Sequence, residues 1–181
     1  MKESTETNRR HPILRKRKKR SVPLSGLGMS ETVRVVSESP RRLEELLLML
    51  ENRDRRMRDR AAATLAWFVS LHPSKLLRFL PRIRVSLQDE SAYVRWHLVY
   101  TVGSLCALFP KRLQDVLSDL LERLEDENKI VRIMASKALA RTASRNPRIV
   151  EELFRNIDRE APGIVVDVLR SSSSKAKSHK K

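Results

Sequence analysis

From Ser91 to Phe109 the chain reads SAYVRWHLVYTVGSLCALF, with apolar side chains on every side of the expected helix and Arg95 and His97 near its start. A helix that is apolar all round has to be covered all round. Neighbours are therefore expected on both flanks as well as beneath, and the chain supplies them when it is laid over itself at a spacing of 37 residues. Leu43, Leu80 and Leu117 coincide, as do Leu46, Ile83 and Leu120, and then Leu50, Leu87 and Leu124. Met57, Val94 and Val131 follow in step, then Arg58, Arg95 and Arg132, then Leu65, Val102 and Leu139. Small residues share a column at Ala66, Gly103 and Ala140, and Pro73, Pro110 and Pro147 close the units. A fixed spacing of this size predicts a stacked array in which each unit buries its face against the next.

Each unit divides into two helices. The first is expected to start at its proline, whose missing N–H costs nothing at the first helical position. It carries apolar residues three and four apart, such as Leu76, Leu80, Ile83 and Leu87. The polar turns ENRD, QDES and EDEN follow, with Asn52, Asp89 and Asp126 in one column and Asp54, Ser91 and Asn128 in another. The second column predicts N-caps for the second helices. Pro40 leads by only 33 residues, so the first helix of the first unit is about a turn short. The fourth unit begins at Pro147 and is interrupted by Ala161-Pro162-Gly163, leaving GIVVDVLR as a short closing helix. The expected organisation is an arm and linker over 1–28, a repeat domain over 29–170 and a Ser/Lys tail over 171–181. Within the domain the units run 40–72, 73–109, 110–146 and a truncated 147–170, while SETVRVVSES near its start suits a partial helix acting as a cap.

These units resemble HEAT repeats over roughly residues 40–160. Pro81 inside the first helix, Asp89 in the turn and Val94-Arg95 early in the second match the family pattern. The next unit keeps Asp126, Val131 and Arg132 but has Ser118 for the proline. The preceding one keeps Arg58, with Asn52, Met57 and Glu44 at the other positions. The resemblance implies an all-α, right-handed α-solenoid of helical hairpins. It also implies a structural ladder, in which Asn52, Arg58, Asp89, Arg95, Asp126 and Arg132 link neighbouring turns. An anion-binding row of the three arginines is the weaker reading beside it.

Composition narrows the function without naming it. The chain has 181 residues and a formal net charge of +16. Residues 1–22 carry nine Lys or Arg against two Glu, and residues 171–181 carry four Lys and no acid. Most of the excess therefore belongs to the two ends. The block Arg15, Lys16, Arg17, Lys18, Lys19 and Arg20 reads as a nucleic-acid arm, a targeting segment or a solubilising extension. No apolar run suits a bilayer span or a secretory signal, and the single cysteine, Cys106, suits a small core residue. A cytoplasmic, intracellular setting is expected, nuclear if the source is eukaryotic.

Catalysis finds little support. There is no Gly-rich phosphate loop, no nucleophile motif and no His/Cys/Asp set at metal-ligand spacing, so no cofactor or metal is expected. The aromatics carry more information. Both Trp and both Tyr lie in two consecutive second helices, at Trp67, Tyr93, Trp96 and Tyr100. With His97 they align with Arg56 and Arg60 one unit back and with Lys137 and Arg141 one unit on. On an exposed face this set is a candidate partner-binding surface; between helices it is packing. The expected function is a non-enzymatic scaffold that holds a protein partner along the second-helix face. The alternative is a nucleic-acid-binding accessory protein, and a remote one is an alkylpurine DNA glycosylase of HEAT-like fold with Asp59 as its acid.

Overall fold

The computed structural model describes residues 22–156 and 160–178, with side chains placed as far as Arg170. The basic block at Arg15–Arg20 lies outside the described residues. Every regular element among those described is helical. In order they are α1 (Met29–Glu38), α2 (Pro40–Leu50), α3 (Arg55–Leu71), α4 (Pro73–Leu76), α5 (Leu80–Val85), α6 (Ala92–Leu108), α7 (Leu117–Glu122), α8 (Lys129–Arg145), α9 (Pro147–Asn156) and α10 (Gly163–Ser178).

The 37-residue spacing appears directly in the backbone. Helices α3, α6 and α8 are each 17 residues long and start at positions 55, 92 and 129. They also end alike: the N–H groups of His72, Phe109 and Asn146 donate to the carbonyls of Phe68, Leu105 and Thr142, each at 2.8 Å. A proline follows each of the three. Its ring disfavours helical ψ in the residue before it, and those residues have ψ of 54°, 49° and 75°. The helix starts are less uniform. Asp54 and Asn128 cap as expected, accepting from Arg56 N at 2.8 Å and Ile130 N at 2.9 Å. Ser91 does not cap, because its hydroxyl donates to Asp59 Oδ1 at 2.8 Å, one unit back.

The first helices depart from the expected single rods. Pro81 has no N–H and its ring would meet the carbonyl of Leu77, so the second unit breaks there. It runs as α4, a 3-10 turn at Leu77–Phe79, α5 and another 3-10 turn at Ser86–Gln88. In the third unit Pro110 sits in a turn instead of opening a helix, and regular structure resumes with a 3-10 turn at Gln114–Val116 before α7.

Helix α6 lies between α3 and α8, with α4, α5 and α7 against its remaining side. Val94, Leu98, Val99, Val102, Leu105 and Cys106 are fully buried, as the all-round apolar pattern demands. Val131 is fully buried as well, while Met57, in the first unit, is half-buried against the same core. The approach of α6 to α8 depends on Gly103: a Cβ there would lie 2.3 Å from Ala138 Cβ.

Both ends are more structured than expected. Leu24 is fully buried; its N–H donates to Glu45 Oε1 at 3.1 Å, and Arg42 donates to the Val22 carbonyl at 2.6 Å. The packed body thus begins before residue 29, and α1 is a ten-residue helix with Thr32, Val33 and Val36 buried. At the other end α10 packs on α8 and α9 through the buried Val165, making a second helical pair member instead of a short lid. Its backbone continues to Ser178, into the stretch read as a tail. Once a helix is nucleated by packed residues, extending it fixes only one residue per added hydrogen bond.

Candidate binding face

The ladder arginines are committed within the fold. Arg58 places Nε 2.7 Å from Asp89 Oδ2 and Nη2 2.6 Å from Glu90 Oε1, while its Nη1 donates to the carbonyls of Asn52 and Arg53. Arg95 repeats this one unit on. Its Nε and Nη2 reach the two oxygens of Asp126 at 2.9 and 2.8 Å, Nη2 also reaches Glu127, and Nη1 donates to the carbonyls of Asp89 and Glu90. Arg132 holds the carbonyls of Asp126 and Glu127 at 2.7 and 2.9 Å and, among the described residues, has no carboxylate ahead of it. Each turn residue closes its own turn as well: Asn52, Asp89 and Asp126 accept the N–H two residues on. Arg95 and Asp126 are buried, with side chains 6% and 3% exposed. Burial alone would raise the Asp126 carboxyl, but the hydrogen bonds from Arg95 and Asn128 and the charges of Arg95 and Arg123 outweigh it and lower the group. Hydrogen bonding to Asp89 holds Arg58, and to Asp126 holds Arg95, even further above neutrality than usual.

The aromatic set divides. Trp67 and Tyr93 are 44% and 43% exposed, whereas Trp96 and Tyr100 are half-buried against the core. His97 is buried and stacks on Trp96 with ring centroids 3.5 Å apart, and Tyr93 lies against both rings. Its Nδ1 is 2.8 Å from the Tyr93 carbonyl, which can only accept, so Nδ1 carries the proton. Burial pushes the imidazole below its ordinary value, against the Tyr93 hydrogen bond and the charge of Asp59. Tyr100 bridges three helices. Its hydroxyl is 3.3 Å from Ser70 Oγ on α3, and the Arg141 guanidinium lies 5.2 Å from its ring while donating to Ser104 Oγ at 3.0 Å. The Ser70 hydrogen bond, outweighing burial, and the Arg141 cation hold the phenol below its usual range. Beside it Tyr100, Gly103, Met134, Lys137, Ala138 and Arg141 line a hollow of about 200 Å³.

Two candidates leave the exposed set. Arg60 turns away towards the N-terminal segment, donating to the carbonyls of Leu24 and Leu27, and contributes to packing there. His97 lies beneath Trp96 and Tyr93. Arg56 and Lys137 are exposed. Ile130 and Ile133 of α8 are also exposed, at 55% and 42%. Neither isoleucine belongs to the set expected from the sequence, although the 37-residue spacing aligns Ile130 with Tyr93. The signal was available, since the 37-residue spacing aligns Ile133 with Trp96. A second set of cross-unit ion pairs, Arg82 with Glu44 and Glu51 and Arg84 with Asp119, had no such signal because these residue types do not recur at the 37-residue spacing: Pro81, Gln88 and Leu121 stand one unit on from Glu44, Glu51 and Arg84.

Across α3, α6 and α8 the one acidic residue is Asp59, against ten Lys or Arg. Asp59 is itself engaged by the Ser91 hydroxyl and by Arg55 at 3.5 Å. Of the ten, Arg58, Arg60, Arg95 and Arg132 are held within the fold, while Arg56, Lys137 and Arg141 are exposed and leave the face cationic beside its exposed aromatic and aliphatic side chains. Among the described residues no group of three His, Cys, Asp or Glu is placed to hold a metal ion, and no helix is long and apolar enough to cross a membrane.

No curated protein gives a significant match to the chain. A family model does match over residues 57–161, from early in α3 through α9, which takes in the stacked α3, α6 and α8 and the ladder arginines. The matching model describes Cnd1, non-SMC mitotic condensation complex subunit 1, a family of HEAT-repeat type, and the chain belongs to that family.

Proposed function

We propose that the chain is a non-enzymatic, intracellular scaffold, built as a right-handed α-solenoid, that holds a partner protein along the exposed side of α3, α6 and α8. The observation that carries this reading is the cationic face with Trp67, Tyr93, Ile130 and Ile133 exposed on it. Large apolar side chains in solvent, surrounded by charge of one sign, suit the core and rim of a protein interface. The family description, a subunit of a mitotic condensation complex, fits a protein that works by contact with other proteins. Charge makes the partner's docking surface acidic.

The test is photo-crosslinking in cells that make the protein, with a benzophenone amino acid at position 93 or 130 and, as control, at Val85. Val85 is exposed on the first-helix side. One protein species should crosslink from positions 93 and 130 and not from 85. Equal yields from all three positions would remove the face from consideration. The scarcity of acids on α3, α6 and α8 also favours a second reading, nucleic-acid binding by Arg56, Lys137 and Arg141 together with the basic block. A mobility shift with single-stranded and duplex oligonucleotides over a salt series tests it; no shift at low salt eliminates it.

A further inference from the structure

A groove of about 450 Å³, lined by none of the residues of the face above, opens between the end of α1, the start of α2 and α4. Its size lies within the range of about 300–1,000 Å³ usual for ligand clefts. Val36, Leu43 and Leu77 form its apolar wall, and Lys75, Arg78 and Arg112 its rim. No carboxylate lines it. The rim bases differ in this from the part-exposed Arg82 and Arg84 of α5, which are paired with Glu44, Glu51 and Asp119. Lys75 Nζ donates to the Ser37 carbonyl at 2.6 Å, which fixes it on the rim without neutralising it. Arg78 lies 4.4 Å over the Phe79 ring, which holds its position and leaves its charge unbalanced. Among the described residues Arg112 has no carboxylate partner.

We propose that this groove is a docking site for an acidic amphipathic peptide segment of a partner protein, whose aliphatic side chains enter it while its carboxylates meet Lys75, Arg78 and Arg112. Charge excludes the chain's own ends as occupants, since both are strongly basic. The wall is aliphatic, with no aromatic ring lining it, so it offers no platform on which nucleic-acid bases stack. Aliphatic anchors with a charged flank are how an amphipathic helix enters a groove.

The test uses the full chain and a fluorescein-labelled peptide of alternating Glu-rich and Leu-rich positions at helical spacing, followed by anisotropy and by methyl NMR. Binding should be saturable, should shift the methyls of Val36, Leu43 and Leu77, and should weaken about tenfold or more in Arg78→Glu/Arg112→Glu. The milder Arg78→Gln/Arg112→Gln pair should weaken it in the same direction, which guards against a folding defect. Val85→Ala, exposed and outside the groove, should leave it unchanged, and the shifts of the Val36, Leu43 and Leu77 methyls report this groove separately from the second-helix face. The idea is overturned if charge reversal leaves affinity unchanged, or if a peptide with Ser for every Leu binds as well. It is equally overturned if a single-stranded oligonucleotide shifts the same methyls.

Discussion

Gly103 shows how much one missing methyl can decide. Alanine would be better than glycine in a helix by about 1 kcal/mol. Here its Cβ would sit 2.3 Å from Ala138 Cβ and 3.2 Å from Ala138 Cα, a backbone atom that moves only if α8 moves. Overpacking of this kind costs about 1–3 kcal/mol, so Gly103→Ala should lose about 1 kcal/mol net in urea denaturation. Adding Ala138→Gly should recover part of the loss. A Gly103→Ala variant as stable as the parent would mean that α6 and α8 are not in this contact. His97 supplies a pH-dependent counterpart. Its folded value is depressed, so the unfolded chain binds the proton more readily. The stability it contributes is complete above the ordinary histidine range near 6.5 and declines as pH falls from there towards the lower folded value. Urea midpoints at pH 7.5 and 5.5 should differ more for the parent than for His97→Gln; equal differences would show that the imidazole is not buried neutral.

Among the elements, the ladder turns a sequence column into an energetic difference between units. Asp126 accepts from Arg95 in a buried pair and also from the Asn128 N–H. Removing one partner of such a pair leaves an uncompensated buried charge and costs about 3–5 kcal/mol. Asp126→Ala should therefore be severely destabilising. Arg132 occupies the same column but among the described residues holds only turn carbonyls, so Arg132→Met should cost clearly less than Arg95→Met by thermal denaturation. Equal costs would mean that the inter-unit carboxylates contribute nothing. The first helices show what the repeat spacing misses. The columns of leucine are right, yet the path between them is cut by Pro81 and by the turn at Pro110 into short α and 3-10 pieces. Side-chain periodicity reports which residues face the core and is insensitive to whether the backbone between them is one rod.

For the whole molecule, a row of units in which each covers its neighbour should open from its ends. Amide hydrogen exchange should be slowest in α6, which is covered on both flanks, and faster in α1 and α10. Cys106, whose thiol burial pushes up to about 12, offers a second probe of the same event. It should resist alkylation in the native protein and react at the rate at which the middle unit opens. Fast labelling of Cys106 under native conditions, or uniform exchange along the chain, would contradict a middle unit sealed by its neighbours.

What the sequence alone determined was periodic: the 37-residue unit, the leucine columns, the all-round burial of α6 and the positions of Arg58, Asp89, Arg95 and Asp126, whereas Asn52 and Arg132 sit in the same columns and, among the described residues, bond only within their own turns. These were legible because burial and turn chemistry act at the same positions in each copy, so three copies reinforce one signal. Tertiary structure alone decided what depends on distances between copies or breaks the repetition. It buried His97 beneath Trp96, drew Arg60 to the carbonyls of Leu24 and Leu27, and gave the Ser91 hydroxyl to Asp59 instead of to a cap. It also folded Leu24 and α10 onto the array, because the end units had apolar surface still uncovered and the nearest chain to cover it was their own.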